Sequence, residues 1–107
     1  MELRSEVEQV FVKDEMIGYI VSLCERTRSD SRILQGASPR ASLALVALSK
    51  ATAWIQGRDF ILPRDVRFVF HDCIGHRILW SPDLVEESAR TQALDEILQS
   101  VKAPAIR

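Results

Sequence analysis

Apolar residues recur at helical spacing in four windows of this chain, and most of these windows are bounded by residues that start or stop helices. In the first, Ile17, Ile20, Val21 and Cys24 follow an i, i+3, i+4, i+7 pattern, and Met16, Tyr19 and Leu23 widen the face. The spacing predicts a helix over 14–28 with Asp14 as its N-cap. Ser29, Asp30 and Ser31 then predict a loop, because short polar side chains compete with the helix for backbone hydrogen bonds. The second window is the most sharply punctuated. Ser38 is an N-cap type, and Pro39 follows at the first helical position, where a missing N–H costs nothing. Gly57 stands where a left-handed residue closes a helix. Between them Ala44, Leu48, Ala51 and Ile55 form one stripe, with Leu45 and Thr52 beside it. Alanines at 41, 44, 47, 51 and 53 make this helix slim, which favours helix formation and close approach of a neighbour.

A third helix opens at Pro63 with Asp65 in its first turn, which suits the helix dipole. Its apolar face is Val66, Val69, Phe70, Cys73 and Ile74, and Gly75 ends or bends it. The fourth runs from near Leu84 or Ser88 to about Val101, carries Leu94, Ile97, Leu98 and Val101 on one face, and is stopped by Pro104. Two apolar runs remain, Phe60-Ile61-Leu62 and Ile78-Leu79-Trp80. Each is too short for a sheet core, but 60–62 and 78–80 can pair as one small antiparallel ribbon. Residues 1–13 hold Val7, Val10, Phe11 and Val12 as anchors without a pattern that sets their conformation. The pattern therefore predicts an all-α fold of four helices with one short two-stranded ribbon.

Composition narrows this picture little. The 107 residues fit one domain, with 47% hydrophobic and 27% charged residues. With 14 basic and 15 acidic residues the net charge is -1, so no general footprint for nucleic acid or anionic membrane exists. No apolar stretch approaches the ~18 residues of a spanning helix. The charged start, Met1-Glu2-Leu3-Arg4-Ser5-Glu6, lacks the apolar centre of a secretory leader. A cytoplasmic protein without membrane insertion is expected, and Cys24 and Cys73 fit it as buried free thiols.

Motifs of several enzyme classes are missing. The four glycines, at 18, 36, 57 and 75, make no phosphate loop and no dinucleotide fingerprint, and no nucleophile elbow is present. His71, Asp72, Cys73 and His76 make a poor metal set, since on a helix His71 and His76 point roughly 140° apart. No metal site is expected. Glu86 and Glu87 are helix neighbours that do not face each other, and read as a solvated pair.

One residue goes against its local energetics. Arg40 falls in the first turn of the second helix, where the dipole favours an anion. Such a conflict often marks function. Free first-turn amides and an arginine together suit a phosphate, although Arg40 could equally extend into solvent or pair with an acidic neighbour. Arg26, Arg28 and Arg32 lie upstream, either adding to a basic face or acting as ordinary partners of a helix C-terminus.

At these residues the sequence resembles a known family. Gly36-Ala37-Ser38-Pro39-Arg40-Ala41 resembles the sensor 2 motif of MoxR-type AAA+ ATPases. The resemblance continues through the alanine-rich helix to Gly57-Arg58-Asp59-Phe60, Pro63-Arg64-Asp65-Val66 and His76-Arg77-Ile78, and upstream to Tyr19-Ile20-Val21 and Thr27-Arg28. It covers about residues 10–103 and is specific because several motifs keep their order and spacing. It implies a four-helix AAA+ lid over 11–103, with 1–10 a linker or lead-in and 104–107 a tail. It also implies an α/β core elsewhere in a longer bacterial protein, carrying the P-loop, the Walker B acid and the arginine finger. That core would bind ATP with Mg. Arg40 would be the sensor 2 arginine, and with Gly36, Ser38 and Pro39 it would form the lid's nucleotide-binding residues. The lid would couple ATP binding and hydrolysis to its own motion in a chaperone-like ring, usually a hexamer. Its partners would be the core of the same chain, neighbouring subunits and a protein with a von Willebrand factor A domain. This stretch alone has no P-loop and is not expected to be an enzyme. Two other readings stay open: a stand-alone helical interaction module, and a helical DNA-binding domain, against which the balanced charge argues.

Overall fold

The computed structural model describes residues 2–106, with side chains described from Ser5 to Ile106. Residues 1 and 107, the outer ends of the expected lead-in and tail, lie outside the described residues. Five helices and one ribbon follow in the order α1 (Glu2–Glu8), α2 (Asp14–Ser29), β1 (Ile33–Gln35), α3 (Pro39–Ile55), α4 (Pro63–Gly75), β2 (Leu79–Trp80) and α5 (Glu87–Ser100). The four helices expected from periodicity are α2 to α5. The additional α1 packs across α3, and Lys50 Nζ of α3 donates to the Glu8 carbonyl at 3.0 Å.

Helix ends follow local chemistry. Asp14 and Glu15 open α2, and Arg26 and Arg28 lie in its last turn, each sign at the dipole end it suits. Asp14 is inside the first turn rather than the N-cap, which is Lys13 and caps nothing with its side chain. α3 begins as expected, with Ser38 Oγ accepting the Ala41 N–H at 3.2 Å and Pro39 next to the cap. It ends in a Schellman turn: the Gly57 N–H reaches the Trp54 carbonyl at 2.9 Å and the Arg58 N–H reaches Ala53 at 3.0 Å. Gly57 has φ +80°, a region open to glycine at no steric cost. Gly75 closes α4.

α3 packs most extensively on α4, while α2 contacts α3 and α5 and α5 contacts α4. Met16, Leu23, Leu45, Val66, Phe70, Ile74 and Ile97 meet in the centre fully buried. Each such side chain contributes about 1.5–3 kcal/mol relative to exposure. Cys24 and Cys73 are buried free thiols, and burial raises the pKa of both.

Three further expectations need correction. The ribbon exists, but residues 79–80 pair with 33–35, in the register Ile33 with Trp80 and Gln35 with Leu79, and not with 60–62. Phe60 instead bridges Phe11: Phe11 N–H donates to Asp59 O at 2.7 Å and Ile61 N–H to Phe11 O at 3.0 Å. A three-residue apolar run shows that a segment is partly buried but not what it pairs with. The buried face of α2 is Met16, Tyr19, Ile20, Leu23, Cys24 and Thr27, leaving Ile17 and Val21 about half exposed. In α3 the buried residues are Ala41, Leu45, Ser49 and Ala53. The stripe picked out by periodicity lies toward solvent, with Leu48 40% and Ile55 76% exposed. In a helix apolar nearly all round, spacing alone cannot choose the inward face.

Candidate functional site

The start of α3 is held by the last turn of α2. Thr27 is fully buried. Its hydroxyl donates to the Cys24 carbonyl at 2.6 Å and accepts the Ala37 N–H at 2.9 Å. Arg28 Nε donates to the Ala37 carbonyl at 2.8 Å. Both backbone groups of Ala37 are therefore tied to adjacent residues of one helical turn. Gly36 passes so close to this turn that a Cβ there would sit 2.6 Å from Arg28 N and 2.7 Å from Arg28 Cα. Here glycine is required by the close approach of backbone. Gly36 thus sets the path of the chain into α3.

Two residues later the chain turns into the helix. Ser38, Pro39 and Arg40 are exposed, while Ala37 and Ala41 on either side are buried. First-turn donors are scarcer here than expected. Pro39 has no N–H, the Ala41 N–H is taken by Ser38 Oγ, and the Ser42 N–H by the Ser38 carbonyl at 3.1 Å. Among the described residues the Arg40 N–H has no acceptor, and its guanidinium has no hydrogen-bond or ion-pair partner. The arrangement offers one amide and one rigidly rooted arginine to an anion, at the positive end of a 17-residue helix. The side chain, rather than a nest of amides, would do most of the binding.

The other arginines are occupied. Arg26 Nε donates to Ser100 Oγ at 3.0 Å, and Nη1 to Ser29 Oγ at 2.9 Å. Arg32 grips Asp30 through Nε and Nη2, and its Nη1 reaches Glu96 Oε1 at 2.7 Å. The Arg32 guanidinium holds the Asp30 carboxyl below the ordinary carboxylate range, and Glu96 likewise. Arg28 on Ala37 braces the turn that precedes α3, while Arg26 and Arg32 tie the end of α2 and its loop to Ser100 and Glu96 of α5, so all three act as structural partners and not as a second basic face.

A further pairing was not legible beforehand. Arg58 Nη1 and Nη2 bind the two carboxylate oxygens of Asp65 at 2.7 Å each. Asp65 is fully buried, and its Oδ2 also accepts the Leu62 N–H at 2.7 Å. This clamp ties the end of α3 to the start of α4. Cys73 lies in the core, and His71 Nε2 sits 2.7 Å from Asp95 Oδ1. Among the described residues no three His, Cys, Asp or Glu side chains converge as metal ligands, and no helix is long and apolar enough to cross a membrane.

Residues 25–100 match the AAA lid domain family. YeaC of Bacillus subtilis, an uncharacterised protein, is 32% identical over 106 residues, covering 98% of this chain and 33% of that protein. Chaperone MoxR1 of Mycobacterium tuberculosis is 31% identical over 106 residues, covering 90% of this chain and 28% of MoxR1. A crystal structure of a candidate ATPase from Cytophaga hutchinsonii superposes with a TM-score of 0.84 at 28% identity, over 96% of this chain and 34% of the other. The chain spans about a third of the length of these relatives.

Proposed function

Because this chain belongs to the AAA lid domain family and is of the MoxR type, we propose that Arg40 is its sensor 2 arginine, the lid's contact with the γ-phosphate of ATP. The observation that carries the reading is an exposed arginine without a partner, rooted at the capped start of α3 by Thr27, Arg28 and Gly36. The donor set fits a phosphate oxygen: a cation and one free N–H stand at a helix N-terminus, with no carboxylate paired to the arginine.

In this reading ATP with Mg is held by an α/β core in a longer protein, and its hydrolysis supplies the free energy for motion. Arg40 places positive charge where the terminal phosphate lies, so the lid's position depends on whether that phosphate is present. The Ala37 N–H donating to Thr27 and the Ala37 carbonyl accepting from Arg28 make the root of Arg40 stiff, so a pull on its side chain moves α2 and α3 together. Gly36, Ser38 and Pro39 shape the nucleotide-facing turn without binding charge themselves. The 107-residue chain alone hydrolyses no ATP in this account. The working protein is a cytoplasmic, chaperone-like ring motor, a hexamer, whose lid meets its own core and neighbouring subunits. A protein with a von Willebrand factor A domain is its further partner.

The test is Arg40→Ala in a protein that joins this lid to its P-loop core. ATP turnover falls about tenfold or more, as expected when a charge-stabilising donor is removed, and the lid's thermal unfolding is unchanged. Near-normal turnover in that variant overturns the assignment.

A further inference from the structure

The solvent face of α4 has a composition that the nucleotide reading does not use. Arg64, Phe68 and Asp72 lie at i, i+4 and i+8, one ridge along the helix. All three are exposed, and Phe68 is 77% exposed, the most exposed large hydrophobic residue in the described structure. Arg64 and Asp72 have no hydrogen-bond or ion-pair partner among the described residues. Arg67, one position before Phe68, is exposed and unpaired as well.

This ridge is basic at one end, aromatic in the middle and acidic at the other. Beyond Asp72 the ridge opens onto a concavity of about 360 Å3 of mixed charge, which Val85, Glu87, His71 and His76 also line. Arg90, on the same wall, is committed to the Leu84 carbonyl at 2.7 Å and to the face of Trp80 at 5.6 Å. A ridge of this kind is complementary to itself. When two such helices run antiparallel about Phe68, a residue n positions before it faces the residue n positions after it on the other copy. Phe68 then meets Phe68, and each Arg64 meets the Asp72 of the other copy, twice by symmetry.

We propose that the α4 face Arg64-Phe68-Asp72 is a two-fold docking surface for a second copy of this chain. The charge pattern carries the choice of partner. A nucleic acid would need a continuous basic stripe, and this one reverses sign within two turns. The contact is isologous, so it joins two chains and stops, unlike the head-to-tail contacts that build a ring. Arg40 and the exposed stripe of α3 are not part of it. Exposed ion pairs contribute little by themselves, so the phenylalanine pair supplies most of the attraction and the charges fix the register.

The experiment is sedimentation equilibrium of the 107-residue chain up to about millimolar concentration, the affinity range of small contacts. The chain shows a monomer–dimer equilibrium, and Phe68→Ala weakens it about tenfold or more at unchanged thermal stability. Arg64→Asp and Asp72→Arg each weaken it, because like charges then meet across the axis. The double variant Arg64→Asp with Asp72→Arg restores it, since both pairs re-form with signs exchanged. A chain that stays monomeric throughout overturns the proposal. So does self-association that survives Phe68→Ala but is lost in Ile55→Ser, which would move the contact to α3. Loss in both single charge variants without rescue in the double overturns the antiparallel register.

Discussion

Arg58 and Arg40 stand beside the starts of two successive helices and are treated in opposite ways. At the start of α4, Arg58 is met by the buried carboxylate of Asp65 on two bonds of 2.7 Å, and the same carboxylate caps the Leu62 N–H. At the start of α3, Arg40 has no carboxylate partner among the described residues, and the cap oxygen Ser38 Oγ is used by Ala41. The fold could place an acid at the first turn of α3 as it does at α4, where Asp65 also suits the dipole. The contrast separates two uses of one residue type. An arginine saturated with internal acceptors holds elements together, while one left open on a stiff base is available to a ligand.

Breaking the closed arginine has the largest expected effect. Asp65→Ala leaves the Arg58 guanidinium, only 15% exposed, without its counter-charge and removes the acceptor of Leu62. A loss of about 3–5 kcal/mol follows from stranding one member of a buried pair. That is a large share of the stability of a domain of this size, which lies near 5–15 kcal/mol in total. Denaturant unfolding measures it. A loss below about 1 kcal/mol, the value of an exposed pair, would show that Arg58 and Asp65 do not clamp the α3–α4 junction.

Loosening the base of the open arginine comes next. Thr27→Val keeps the shape but removes the acceptor of the Ala37 N–H, at about 1–3 kcal/mol for a buried donor left unpaired. Gly36→Ala forces a methyl against the Arg28 backbone, with a loss of about 1–3 kcal/mol for overpacking. Both variants also displace Arg40, so in the longer protein they lower ATP turnover beyond what their stability loss explains. Turnover that follows the folded fraction alone would separate the base from the function.

How much of this was legible in the chain depended on whether the cause was local. Ser38, Pro39 and Gly57 announce both ends of α3, because caps and left-handed turns are decided within a few residues. Arg40 stands out through its conflict with the helix dipole, and the structure leaves it exposed with no partner among the described residues. The ribbon partner was not legible, because Ile33–Gln35 and Leu79–Trp80 are separated in the chain by α3 and α4 and meet only once those helices have packed. Nor was the Arg58–Asp65 bond, although both residues lie in recognised motifs, since pairing across a turn has no periodicity to read. The inward face of α3 failed for a related reason. Alanines all round the helix give periodicity no contrast, and the choice was made by Leu45 and Ala53 finding neighbours.

The brace at Asp30 is a smaller test. Arg32 lowers the Asp30 pKa in the folded chain, so this carboxylate contributes stability that is present above its unfolded value of about 3.9. The contribution is lost as pH falls through the lower folded value. Stability is therefore flat in this respect from neutral pH down to about 5 and declines below about 4. Asp30→Asn lowers stability at neutral pH and removes part of that acid decline. Unfolding curves across a pH series measure both, and parallel declines in variant and parent would show that Asp30 is not the group responsible.

The smallest expected effect on stability tests the contrast most directly. Arg40→Ala removes a side chain that has no described partner, so the folded chain changes by no more than about 0.5 kcal/mol. The sign leans toward stabilisation, because a cation is removed from the positive end of α3 and alanine is the better helix former. A loss of 1 kcal/mol or more, the size of a made hydrogen bond, would mean that Arg40 has an internal partner and is no more open than Arg58. Arg40→Glu sharpens the test in the opposite sense. It supplies the anion that the dipole favours, so the lid gains a few tenths of a kcal/mol at low salt. In the longer protein the same change places a negative charge against phosphate and abolishes turnover. A residue whose loss leaves the fold unchanged, and whose charge reversal helps the fold while stopping the motor, is one held open for a ligand.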